Sequence, residues 1–101
     1  MAIDLFCYSS LPVDEVSELL KSCSRQRGDL FSQKFIISPV KEVGDIGKEI
    51  AQEHDLGAAS YFLIRLNEKS EAHRYSEVSE IIKEVIGRDR VIVLWDNERV
   101  I

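Results

Sequence analysis

MAIDLFCY, residues 1–8, decides the fold. Its apolar side chains alternate, with Ile3, Leu5 and Cys7 on one face of an extended chain and Asp4, Phe6 and Tyr8 on the other. That period of two predicts a pleated strand with one deeply buried face, around which the later elements pack. Just beyond it, Ser10 is placed to cap a helix, Pro12 fits a first turn where its missing N–H costs nothing, and Asp14 and Glu15 suit the positive helix end. Val13, Val16, Leu19, Leu20 and Cys23 then recur at helical spacing, and Lys21, Arg25 and Arg27 suit the negative end before Gly28 stops the helix.

Further out, Phe35, Ile36 and Ile37 form a short apolar run ended by Ser38 and Pro39, which predicts a second strand followed by a turn. Asp45 is placed to cap a second helix carrying Ile46, Ile50, Ala51 and a partly buried His54, with Gly57 closing it in a left-handed conformation. The run Tyr61–Leu66, apolar apart from Arg65, reads as a third strand buried on both faces, as in the centre of a parallel sheet. After the polar connection 67–74, a third helix is predicted with Tyr75, Val78, Ile81, Ile82, Val85 and Ile86 on its packed face. Glu77, Glu80, Lys83 and Glu84 lie outside, and Gly87 is the stop. Val91–Trp95 is a fourth strand, and the turn residues Asp96 and Asn97 allow Arg99–Ile101 to fold back on it. This alternation predicts a single α/β domain spanning 1–101, with a mostly parallel or mixed sheet of four to five strands and three helices packed on its faces.

A chain of 101 residues with 45% hydrophobic and 31% charged content holds enough apolar material for one core, and no apolar run approaches the ~18 residues of a membrane span. The first residues lack a basic segment leading into an apolar stretch and a small-residue cleavage site, so the expected location is the cytoplasm. Cys7 and Cys23 fall in a strand and on an apolar helix face, where free thiols behave as small hydrophobes. Thirteen Lys and Arg against eighteen Asp and Glu leave a net charge of −5, which opposes direct binding to nucleic acid or anionic lipid and favours a basic protein partner. The same charge also serves solubility alone.

The segment Gly44-Asp45-Ile46-Gly47-Lys48 has glycines and a lysine, as phosphate-cradling loops do. However, its spacing matches neither nucleotide pattern, and Asp45 would repel phosphate. His54 and His73 are far apart and the cysteines lack paired spacing, so neither a metal site nor a cofactor is expected. If the four strands were parallel, their C-terminal ends would bring Tyr8, Ser9, Ser38, Asn67, Glu68, Trp95 and Asp96 to one rim, with Glu71 and Glu98 nearby. Aromatic anchors beside carboxylates suit a protein interface, and this gives the candidate binding set Tyr8, Asn67, Glu68, Glu71, Trp95, Asp96 and Glu98. Equally, Tyr8 and Trp95 could finish the core while the acids solvate turns. From the residues alone, a small acidic interaction module and a small cysteine-dependent enzyme both stay open, as does an interface on the acidic helix face of Asp14, Glu15 and Glu18.

A collinear series resembles the immunity proteins of bacterial contact-dependent growth inhibition systems. It comprises the opening MAIDLFCY, Ile37-Ser38-Pro39-Val40, Lys48-Glu49-Ile50-Ala51, Glu53-His54, Tyr61-Phe62-Leu63, Leu66-Asn67 and Asp96-Asn97-Glu98. The resemblance is loosest over Ser9–Leu30, Glu68–Val78 and Arg99–Ile101. It implies a cytoplasmic antidote without enzymatic activity. Its partner would be the C-terminal toxin domain of a surface-delivered protein, a transfer-RNA nuclease, which the antidote would block from its RNA. Because immunity partners discriminate through differing surfaces, the divergent stretches would set which toxin is bound.

Overall fold

The computed structural model describes residues 4–31, 34–66, 73–95 and 99–101. Strand β1 (Asp4–Ser9) forms over the described part of the predicted stretch, residues 1–3 with Ile3 lying outside the described residues, and it lies at the centre of the sheet. It is hydrogen-bonded on one side to β4 (Ser60–Leu66) and on the other to β5 (Val91–Trp95). With β2 (Phe35–Ile37), β3 (Lys41–Glu42) and β6 (Arg99–Val100), the order is β2-β4-β1-β5-β6, and β3 also pairs with β4.

Every pairing among these strands is antiparallel, which corrects the expectation of a mostly parallel or mixed sheet. The physical reason lies in the crossovers. Because β4 and β5 both run antiparallel to β1, they point the same way, and helix α4 (Tyr75–Ile86) joins them as a crossover should. Likewise α1 (Val13–Gln26) and α2 (Gly28–Phe31) carry the chain from β1 to the like-directed β2. Each crossover skips one slot, and an antiparallel strand fills it, giving two interleaved split βαβ units.

The described residues hold four helices and not three, since α2 and α3 (Asp45–Gln52) accompany α1 and α4. Helices α1, α2 and α4 cover one face, packing Val16, Leu20, Cys23, Leu30, Phe31, Val78, Ile82 and Ile86 against Leu5, Cys7, Phe35, Phe62, Ile64, Val91 and Val93. The other face has a smaller core. There Ala51 and Leu56 join Tyr8, Val43, Ala58 and Leu94, with Phe6, Ile50, Tyr61 and Ile92 partly covered.

Local signals held at some helix ends and failed at others. Gly87 ends α4 at φ 117°, in a region L side chains rarely enter. Ser10 does not cap α1, whose N-cap is Pro12. Its neighbour Ser9 instead accepts the Leu11 N–H (3.1 Å), and Ser60 Oγ donates to the Leu11 carbonyl (2.7 Å), so two buried serines clamp the turn. Gly28 opens α2, and Leu30 and Phe31 become core. Gly44, not Asp45, is the N-cap of α3, and the left-handed residue after that helix is Asp55 (φ 61°), not Gly57.

At the sheet edge, the chain advances four residues from Ile37 to Lys41 while β4 goes only three, from Ile64 to Tyr61, which is a one-residue bulge around Pro39. Pro39 has no N–H to give the ladder. Ser38 holds the break together, donating its N–H to the Leu63 carbonyl and accepting the Leu63 N–H on its Oγ, both at 2.8 Å.

Candidate protein interface

The antiparallel register splits the expected rim between two ends of the sheet. One end gathers the start of β1 with the finish of β4 and β5, since Leu5 lies opposite Trp95 and Asp4 opposite Arg65. The other gathers Ser9 with Ser60 and Val91. Tyr8 pairs with Ile92, three residues from Trp95, so the two aromatic rings are offset by about 10 Å along the sheet and stand on opposite faces. They do not meet.

Trp95 is half-buried and packs edge-to-face on Tyr75 with ring centres 4.4 Å apart, and Tyr75 does the same to Phe35 at 5.5 Å. Burial, aided by the nearby Asp4 charge, pushes the Tyr75 hydroxyl up to about 12. Beside this aromatic row, Arg65 Nε donates to Asp4 Oδ1 at 3.2 Å, which raises the arginine's pKa further. Of the remaining sequence-predicted residues, Asn67, Glu68, Glu71, Asp96 and Glu98 lie outside the described residues. The described chain leads into both of their segments from the same sheet end, at Leu66 and Trp95.

Tyr8 sits 4% exposed under α3, in a stacked arrangement with Tyr61. It belongs to a feature the sequence reading did not anticipate. Helix α3 is short and covers only part of its face, leaving a groove of about 480 Å³ walled by Phe6, Tyr8, Tyr61, Val43, Ile46 and Ile50. Gly47 lets the helix approach this closely, because a Cβ there would lie 2.5 Å from Val43 Cγ2 and 3.2 Å from Tyr8 Cε1. Beyond the groove, Ile36 stands opposite Arg65 and Val100 opposite Leu94, both on this same face. The signal that could have revealed this surface was the unbroken Phe35-Ile36-Ile37 run. In an edge strand, such a run turns its middle side chain away from the main core.

A second groove, about 660 Å³ between α1 and residues 37–40, is lined by Leu20, Ile37, Pro39 and Val40, together with Ser24, Arg25 and other polar side chains. The Gly44–Lys48 segment proves to be the start of α3, with Asp45 exposed in its first turn. Cys7 and Cys23 are buried free thiols; burial drives the Cys7 pKa far up and raises that of Cys23 against the lowering effect of Arg27. Thiols in that state are poor nucleophiles, which argues against the cysteine-dependent enzyme. Among the described residues no helix is long and apolar enough to cross a membrane.

Residues 1–99 match the family model described as "CDI System Immunity Component". The chain belongs to that family. It is 41% identical over 98 residues to "Immunity protein CdiI-2" of Burkholderia pseudomallei (strain 1026b), a match that covers 97% of each chain. Its fold matches, at a TM-score of 0.94 and 39% identity, a chain of the solved "CdiA-CT/CdiI toxin and immunity complex from Burkholderia pseudomallei", covering 97% of this chain and 95% of that one. The expectation of a contact-dependent inhibition immunity protein is thereby met, and the antiparallel sheet is the form this family member takes.

Proposed function

We propose that this chain, as a single domain over 1–101, is a non-enzymatic cytoplasmic antidote. It binds the C-terminal toxin domain encoded with it and covers the surface through which that domain grips transfer RNA. The observation that carries the reading is the near-complete likeness, at a TM-score of 0.94, to a chain from a toxin and immunity complex. The acidic balance supports the mode of action. A nuclease presents cationic groups to phosphates, and a protein of net charge −5 competes for that surface without itself binding RNA.

In this reading Glu68, Glu71, Asp96 and Glu98 supply charge, Asn67 supplies hydrogen bonds, and Trp95 is the aromatic support at the sheet end from which both segments leave. Tyr8 contributes as part of the groove under α3. Antidote and toxin would bury at least about 800 Å² each, as stable protein complexes do.

Co-expression tests it. Cells making this chain should survive production of the neighbouring toxin domain, and the two proteins should co-purify. Killing at the control rate, with no complex recovered, would refute the antidote reading.

A further inference from the structure

Among the described residues, three large apolar side chains stand well exposed: Ile46 at 75%, Val100 at 48% and Ile36 at 47%. Isolated exposed hydrophobics are ordinary on any protein. Here all three lie on the α3 side of the sheet, and Ile46 overhangs the groove floored by Phe6 and Tyr8. Ile36 and Val100 stand on the two opposite edges of the sheet, β2 and β6, so the apolar feature that stands out on this face is the groove beneath Ile46.

The charge around the groove selects the occupant. Between residues 41 and 55 the exposed acids Glu42, Asp45, Glu49, Glu53 and Asp55 outnumber the exposed Lys41 and Lys48. Of the residues lining the groove, Asp45 is the charged one, and this acid, on a chain itself at −5, disfavours a second copy, anionic lipid and nucleic acid as occupants. A cationic protein surface with a protruding apolar side chain meets both features.

We propose that the groove between α3 and the open sheet face is the socket for an apolar side chain of the cationic toxin domain, clasped between Ile46 and Phe6. This rests on the antidote reading and assigns to it a second contact surface, separate from the sheet end where Leu66 and Trp95 finish. The socket lies within the size range of clefts that hold a ligand group, about 300–1,000 Å³. It runs toward Ile36 and the Asp4–Arg65 pair along the same face, so one partner can span both surfaces.

The test measures binding of purified chain to the catalytically inactivated toxin domain encoded beside its gene, comparing wild type with Ile46→Ala and Ile46→Arg. Truncating a central anchor should weaken binding about tenfold, and placing a cation there about a hundredfold or more. Because Ile46 is largely exposed, both variants should keep the wild-type urea midpoint. Amides 44–50 should gain protection from hydrogen exchange in the complex. If wild type binds and Ile46→Arg binds equally well, the socket is overturned while the antidote reading stands. Should wild type itself form no complex, the antidote reading falls instead. Self-association of the chain that Ile46→Arg abolishes would give the groove to a second copy and overturn the proposal.

Discussion

Gly47→Ala sets two physical effects of opposite sign against each other. In an exposed helix interior the change stabilises by about 1 kcal/mol, because alanine restricts the unfolded chain and shields the backbone. At this position the new Cβ would lie 2.5 Å from Val43 Cγ2, closer than non-bonded carbons sit, and 3.2 Å from the Tyr8 ring. Val43 is 8% exposed and β-branched, so its methyl cannot swing away freely. Overpacking of this kind costs about 1–3 kcal/mol, which outweighs the helix gain and leaves a net loss of about 1 kcal/mol. For a domain of this length that is a drop in Tm of about 4 °C. Val43→Ala alone should cost about 1.6 kcal/mol for its two lost methyl groups. In the double variant the main clash is gone, so urea unfolding should show the pair less damaging than the sum of the singles by about 2 kcal/mol. A Gly47→Ala chain more stable than wild type, and additive with Val43→Ala, would mean that α3 does not pack this closely on β1.

Charge reversal at Glu68, Glu71, Asp96 and Glu98 together should slow association with the toxin domain and flatten its salt dependence in stopped-flow measurements; an unchanged rate would place the steering acids elsewhere. Burial holds the Cys7 thiol protonated above its ordinary value of 9.0, so the folded chain keeps a proton that the unfolded chain releases. Stability is therefore full below pH 9 and falls beyond it, by about 1.4 kcal/mol per pH unit for each such group, and the gap between wild type and Cys7→Ala should narrow as pH rises past 9 in urea titrations. Ser60→Ala removes the 2.7 Å bond to the Leu11 carbonyl and should cost about 1 kcal/mol by chemical denaturation, with no loss of toxin binding at saturating concentration.

Strand and helix positions were legible wherever burial alternates with the period of the backbone. Phe35–Ile37, Tyr75–Ile86 and Val91–Trp95 fall where their patterns predicted, and β4 differs from its expected span only by adding Ser60. Elements with no such pattern escaped notice. The two residues of β3, Lys41 and Glu42, are both exposed, and α2 is a single turn whose Gly28 looked like a stop. Strand direction does not follow from Tyr61-Phe62-Leu63-Ile64-Arg65-Leu66, whose apolar run suggests a parallel sheet. An apolar run records burial on two faces, and helices on two faces produce it in an antiparallel sheet as readily as in a parallel one.

The same error explains what became of the site. Four parallel strands would have put every C-terminal end on one rim, and with it Tyr8 beside Trp95. In the antiparallel sheet alternate strands share direction, so β4 and β5 keep their ends together on either side of β1 while the end of β1 moves to the far side. The acidic segments after Leu66 and Trp95 thus begin at one end for a reason the sequence reading did not contain, and Tyr8 is freed to floor a different feature. On the proposed reading, recognition divides its labour: acids of the segments that follow Leu66 and Trp95 would steer, which needs exposure but little packing, and the apolar socket under α3 would supply affinity, which needs a group removed from water. Changes in the first should act mainly on how fast the toxin is captured, and changes in the second on how long it is held.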